Sequence, residues 1–501
     1  MIKNAVVLGG GSAGFLAALT LRRRVPGLAL TIIRSPDIGI IGVGEGTTPY
    51  VPTHLLDYLG LREDQIFKEA QPIWKLGIKS LWGPRPSFNY TFRKQLNFRY
   101  KDLPKDNGYY FDDDMKGAEL TSAFMDANKV FSRRTNGSPD VKHGHAWHLE
   151  NHKFVTYLEA RARDFGIKIV DATVREVQQD DQGITGLLLD NGETARADLF
   201  VDASGFRSVL LGQTLGEPFQ PFTDSLFCDR AVVGGWKREE EPIQPFTVAE
   251  TMDAGWSWRI DHEETINRGY VYSSGFMDDA AAEAEFRRKN PKVGETRIVK
   301  YRSGRFRRGW VKNVVAIGNS AGFVEPLEAT ALLVICLESR SLADTLSQLD
   351  ASPTPTAREL YNRYTGRVWD DIRDFLAVHY RFNTRTNTPF WQYCWHHTAL
   401  HGAEPLVEFY QENGPTTLPQ ALLVPPESPF GLDGYLTYLV GQQVPHKKRH
   451  SPSASEKAFW TSLRQQIGGL TSGAADVRES LKAIRSPSWS WKREAGPRQP
   501  S

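Results

Sequence analysis

Cysteine is scarce. Three occur in 501 residues, Cys228, Cys336 and Cys394, far apart and without metal-ligand spacing, which argues against a disulfide framework or a zinc ribbon and fits a reducing cytoplasm. Long apolar runs are missing too, so no stretch reads as a membrane span. Lys3 followed by residues 5–8 has the beginnings of a signal peptide, but three consecutive glycines break the run and no cleavage site is evident. Charge of one sign is also lacking. With 61 Lys plus Arg against 59 Asp plus Glu and a formal net charge of +2, bulk attraction to nucleic acid or to a membrane surface is not expected. There is no internal repeat. Tryptophan, by contrast, is plentiful: thirteen imply a large aromatic interior or aromatic-lined pockets, since the indole is costly to expose. The length allows two or three domains around a sizeable core.

The chain opens on an apolar strand, residues 4–8, and then Gly9, Gly11 and Gly14 in the pattern G-x-G-x-x-G, with Ser12 and Ala13 between them, before an apolar helix over 15–21. Between a strand and a helix these glycines allow a tight turn, close approach of backbone to a pyrophosphate, and close helix packing. The second strand, 29–33, should end in an acid for the ribose hydroxyls, but Arg34 stands there. Either Ser35 and nearby backbone hold the ribose, or Arg34 meets a phosphate. No second G-x-G-x-x-G follows, so a separate nicotinamide domain is not expected. Residues 38–48, IGIIGVGEGTT, form a loop including Gly44, Glu45, Gly46 and Thr47, suited either to backbone contact with a flat ring or to an ordinary surface position.

Further along, residues 72–83, PIWKLGIKSLWG, read as one strand that puts Lys75, Gly77 and Lys79 on one face. A solvated lysine face is the plain reading. Residues 84–142 are loop-rich and aromatic, with Tyr90 and Phe92 among the rings, and read as an insertion able to cover a pocket. His143, His145, His148 and His152 crowd one segment, although their spacing suits a metal poorly. A strand near 166–170 and the segment 172–177, which contains Val174, follow, and a parallel strand after the helix here would extend the nucleotide-binding layer. Asp202 and Gly205 follow a strand as a second flavin-side turn, and in GWSWRID (255–261) Trp256 and Trp258 share one strand face. In GNSAGFVEPLEATA (318–331) a buried strand runs through Gly318 and Asn319 into a helix whose first turn carries Pro326. Glu325 and Glu328 could serve there only to offset the helix dipole.

These elements predict an α/β, Rossmann-type, FAD-binding two-layer flavoprotein. Residues 1–345 carry the FAD-binding domain with an interleaved second sheet, 346–445 a mostly helical cap, and 446–501 a partly helical tail. That tail, with 11 Lys plus Arg against 4 Asp plus Glu, a net +7, is expected to be solvated.

Six stretches in this order resemble the flavin-dependent halogenases of the tryptophan halogenase type: GGGSAG at 9–14, RSPDIGIIGVGEGTTP at 34–49, WKLGIK at 74–79, GWSWRI at 255–260, GNSAGFVEPLEAT at 318–330, and IRDFLAVHYRFN with TPFW within 372–391. The resemblance implies that Lys75 is the essential lysine and Glu328 the glutamate opposite it. It makes Trp256, Trp258 and Ile260 a shield between flavin and substrate, and it puts a halide beside the amides of Thr330 and Ala331. It implies hypohalous acid made from reduced FAD, O2 and chloride or bromide, which Lys75 either hydrogen-bonds or carries as a haloamine to an electron-rich aromatic such as tryptophan or another indole. A separate NAD(P)H-dependent flavin reductase is the implied partner, and a homodimer is admitted. Three positions depart from the pattern: Asp261 stands for a proline, Ala329 for a serine and Ala331 for a glycine. A flavin monooxygenase or oxidoreductase of the same fold, and a non-catalytic flavin-binding protein, are the competing readings.

Overall fold

The computed structural model describes residues 1–36, 38–39, 44–92, 108–110, 115–117, 119–448 and 450–491. Its nucleotide-binding layer is a six-stranded sheet in the order Trp310–Val311, Val314–Ala316, Leu199–Asp202, Asn4–Leu8, Ala29–Arg34, Lys168–Asp171, parallel apart from the first pair. Its central strands, Asn4–Leu8, Leu199–Asp202 and Val314–Ala316, are short apolar runs covered on both faces, as central parallel strands are. The helix Ser12–Arg24 buries Phe15 to Leu21, carries three arginines in its last turn against the helix dipole, and packs on Ala331–Gln348 and Asn151–Asp164.

The second layer is a seven-stranded sheet in the order Thr296–Lys300, Arg230–Lys237, Thr265–Tyr272, Gly255–Asp261, Thr247–Met252, Ile78–Leu81, Phe88–Tyr90. All pairs are antiparallel except Thr247–Met252 with Ile78–Leu81. A helical layer closes over it. Pro355–Phe382, started by a Thr354 cap, lays Trp369, Ile372, Phe375 and His379 on one buried face, where the Phe375 ring stacks on Phe430 at 3.9 Å. The helices Pro389–His397 and Gly431–Gly441 pack against it.

Three expectations are corrected. The strand read over 72–83 is two strands in two sheets: Ile73–Lys75 pairs with Ala146–Leu149, while Ile78–Leu81 joins the seven-stranded sheet. Between them the Leu76 N–H donates to Pro245 O at 2.7 Å and the Thr247 N–H to Gly77 O at 3.1 Å. Lys75 and Lys79 therefore share no solvated face; Lys75 is buried and Lys79 pairs with Asp126. Next, Pro326 opens a 3-10 turn, Pro326–Glu328, and the helix begins only at Ala331, because Ala329 turns left-handed (φ 56). Glu325 and Glu328 are both 0 % exposed, so a dipole role at a solvated helix start does not account for them. Finally, the basic tail is solvated on one side only: Ala454–Ser472 lies on Leu120–Asp126, and Val477–Ile484 inserts Val477, Leu481 and Ile484 into the first core, while its other faces stay exposed. Residues 40–43 of the glycine-rich loop and 93–107 and 111–114 of the aromatic insertion lie outside the described residues.

Candidate active site

Three neighbouring parallel strands end in glycines with positive φ: Gly9 (136°) after Asn4–Leu8, Gly205 (69°) after Leu199–Asp202, and Gly318 (64°) after Val314–Ala316. A side chain on Gly9 would stand 2.2 Å from Ala203 O and one on Gly14 1.9 Å from Gly9 O, so both contacts demand glycine. At Gly11 and Gly205 a side chain would meet nothing within 4 Å, leaving two open backbone faces on either side of the helix start at Ser12 and Ala13. Unpaired N–H groups at a helix start favour a phosphate, so this cradle fits the pyrophosphate of FAD. Gly14→Ala is expected to weaken flavin binding at least about tenfold or to prevent folding, read by flavin fluorescence titration and thermal unfolding of the same sample.

Other residues expected at the flavin are held differently. The Asp202 carboxylate accepts from Leu210 N, Leu211 N and Ser204, and so fixes its own turn. Arg34 is bound by Asp171 and Glu159, which places its charge on protein carboxylates. Ser35 Oγ meets Thr173 Oγ1 at 2.8 Å, next to Val174, which packs on the outer face of the same sheet. Gly318 lies against Ala13, and its N–H donates to Glu338 Oε2 at 2.7 Å.

In front of these turns is a cavity of about 170 Å³. Gly44, Glu45, Asn319, Ala331, Lys75, Ile78 and Ala329 line it together with Trp258, Ile260 and Phe323. Trp258 lies across Gly269, which a side chain would push 2.0 Å from the indole. Trp256 stands behind, 6.0 Å from it centroid to centroid, and does not line the cavity. Thr330 precedes the helix that Ala331 begins, and Ala331 lines the cavity, so the first turn of that helix, whose amides lack intrahelical partners, starts at its wall. Burial pushes the Glu45 carboxyl up to about 7 against one hydrogen bond from Asn151.

Lys75 is 1 % exposed. Its Nζ donates to Thr47 O at 3.1 Å and lies 4.9 Å from the centre of the Phe92 ring, which packs edge-on to Tyr90. Burial pushes the ammonium down to about 7, and the nearby Glu328 carboxylate offsets this only in part. Glu328 Oε1 accepts from His379 Nε2 at 2.9 Å and from Tyr438 Oη at 2.5 Å, while Oε2 has no hydrogen-bond partner among the described residues.

His379 and Tyr438 were not singled out in the sequence, though His379 lies within IRDFLAVHYRFN. His148 stands away from a metal role: buried, it lies between Asp261 O and Thr247 Oγ1. Among the described residues no group of three or more His, Cys, Asp or Glu is placed to hold a metal ion.

A dinucleotide cradle is joined by a walled cavity to a buried lysine with a carboxylate nearby, the arrangement of a flavin-dependent enzyme. The tryptophan halogenase family model matches residues 4–457. Curated relatives include a tryptophan 7-halogenase, RebH, of Lentzea aerocolonigenes, 33 % identical over 423 residues and 78 % of either chain. A tryptophan 6-halogenase, ThaL, of Streptomyces albogriseolus is 30 % identical over 83 % of either chain. Among solved structures, MibH, a lanthipeptide tryptophan 5-halogenase, superposes with TM-score 0.86 at 35 % identity over 96 % of this chain and 93 % of its own. Xcc4156, a flavin-dependent halogenase from Xanthomonas campestris, gives TM-score 0.86 at 26 % identity over 96 % and 98 %. The chain belongs to the tryptophan halogenase family.

Proposed function

We propose that the protein halogenates an electron-rich aromatic ring, tryptophan or another indole, with Lys75 as the group that receives the halogen. The observation that carries this reading is the single cavity shared by the flavin-side residues Asn319 and Ala331 and the Lys75 amine. The chemistry that reduced FAD supplies when bound is the conversion of O2 and chloride or bromide into hypohalous acid. Gly9, Gly11, Ser12, Ala13, Gly14, Gly205 and Gly318 hold the dinucleotide, Gly44 to Thr47 flank the ring, and the amides at Thr330 and Ala331 hold the halide. Trp258 and Ile260 keep an aromatic substrate away from that end, so the oxidant travels and the substrate waits.

At Lys75 the amine nitrogen attacks the halogen of the hypohalous acid. The N–halogen bond forms as the O–halogen bond breaks, and an amine proton leaves with the hydroxide as water. The aromatic carbon next takes the halogen, the nitrogen recovers a proton, and the ring proton goes to Glu328 Oε2. A separate NAD(P)H-dependent reductase delivers the reduced flavin. Because the amine is the nucleophile, halogenated product per flavin oxidised should rise with pH until about 7 and then level, falling about tenfold per pH unit below it. The test combines protein, FAD, a flavin reductase with NADH, and chloride or bromide with free tryptophan, indoles, phenols and a tryptophan-containing peptide, read by mass spectrometry. Halogenated product supports the reading; hydroxylated product, or none with any halide, overturns it.

A further inference from the structure

Gly46 faces Lys75 across the cavity. A side-chain carbon built on it would stand 2.9 Å from Lys75 Nζ and 3.4 Å from both Thr247 Oγ1 and Ala329 Cβ, and all four residues line the same cavity. An amine, a hydroxyl and a methyl thus converge on one bare patch of backbone. Ala329 brings no polar atom to it. Thr247 brings the hydroxyl, and its surroundings fix which way that hydroxyl works.

His148 is 0 % exposed, with Nδ1 3.2 Å from Asp261 O and Nε2 2.9 Å from Thr247 Oγ1. A carbonyl oxygen only accepts, so Nδ1 carries the hydrogen. The charged or titratable groups facing the ring are Lys75 and His262, both of which oppose a second proton, as does burial. The imidazole is neutral, Nε2 presents a lone pair, and Thr247 must donate its own hydrogen to it. What Thr247 turns toward Lys75 and Gly46 is therefore an oxygen that can only accept. The Lys75 amine, meanwhile, donates to Thr47 O, which leaves its lone pair for the cavity.

We propose that Thr247 is a further catalytic residue for halogen transfer: its oxygen accepts the O–H of hypohalous acid over Gly46 and turns the halogen end toward Lys75 Nζ. This rests on the reading of Lys75 given above. The arrangement selects the neutral acid, because a hypohalite anion would set its own lone pairs against those of Thr247. Bonds are made and broken only at nitrogen, halogen and the departing oxygen, as already described, and Thr247 neither gains nor loses a proton.

The test compares Thr247→Val, which keeps the shape and removes the hydroxyl, with Thr247→Ser, which keeps the hydroxyl. Each is assayed with FAD, reductase and halide for halogenated aromatic per flavin oxidised, and for halogenation of a soluble 1,3-diketone that traps escaping hypohalous acid. Both ratios are independent of how much of each sample is folded. Thr247→Val should lose about tenfold in the first ratio and gain in the second, the worth of one hydrogen bond in a desolvated site, and Thr247→Ser should return to within about twofold of the parent. Thr247→Ala serves in place of Val if that variant oxidises no flavin. An unchanged first ratio in Thr247→Val, or a serine variant as poor as the valine one, overturns the proposal. Product surviving in Lys75→Ala overturns the lysine reading and this one together, whereas loss in Lys75→Ala with an unchanged Thr247→Val removes Thr247 alone.

Discussion

Lys75→Met should abolish halogenation, by at least about a thousandfold, while making the protein more stable. The folded chain holds the Lys75 ammonium at about 7 against 10.5 for the ordinary side chain. Between those two values the unfolded chain binds a proton that the folded chain does not, so stability rises with pH across that window and the full cost of burying the lysine is felt below about 7. Methionine has similar length and no charge to bury. Its gain should be on the order of a few kcal/mol below neutrality, reduced by about 1 kcal/mol for the Thr47 carbonyl left without a donor. Denaturant unfolding at about pH 6 and about pH 10 checks the sign: the variant's advantage should be large at the first and mostly gone at the second. A methionine variant less stable than the parent at the lower pH would mean that the ammonium is well accommodated, and the nucleophilic amine would lose its support.

The second large effect is expected at Glu328. In Glu328→Gln the amide oxygen can still accept from His379 and Tyr438, so the packing of three buried side chains is preserved. What is lost is a carboxylate oxygen able to take the ring proton. Turnover should fall about 10² to 10³-fold, and the slow step should change with it. Deuterium at the reacting ring carbon should leave the parent rate unaltered yet slow the variant, because C–H cleavage then limits turnover. A variant equally slow with hydrogen and deuterium would assign Glu328 to stabilising the ring cation, and would move proton removal to another group.

The parts of this molecule that read directly from the sequence are those whose physics is local. Gly9, Gly11 and Gly14 announce their turn by their spacing between strand and helix; the backbone of Gly9 itself, five residues back, leaves no room for a side chain at Gly14, whereas the Ala203 carbonyl that excludes one at Gly9 comes from a distant strand and could not be read. The helix expected over 15–21 and the strand expected over 255–261 are found as Ser12–Arg24 and Gly255–Asp261, each set by its own periodicity and ends. The alternation around Lys75 misled for the opposite reason. The strand breaks after Lys75 because Pro245 and Thr247, some 170 positions later in the chain, take up the backbone of Leu76 and Gly77. Glu328 was visible, but its partners lie 51 and 110 residues further on, and no spacing rule connects them. His148 drew notice for the histidines beside it, whereas its partners are a carbonyl and a hydroxyl from distant strands. Glu325 shows the same limit: it reads as a dipole acid, but lies buried with its carboxyl pushed up to about 7.

The packing of Val477, Leu481, Ile484 and Trp491 against Phe67 and the rest of the first core bears on how the chain is made. These residues are made after every strand of the nucleotide-binding sheet, so the part of the first core that they cover stays bare and greasy until they emerge. A nascent chain in that state is a client for chaperones, and a ribosome stalled before this segment would release a sticky half-built protein.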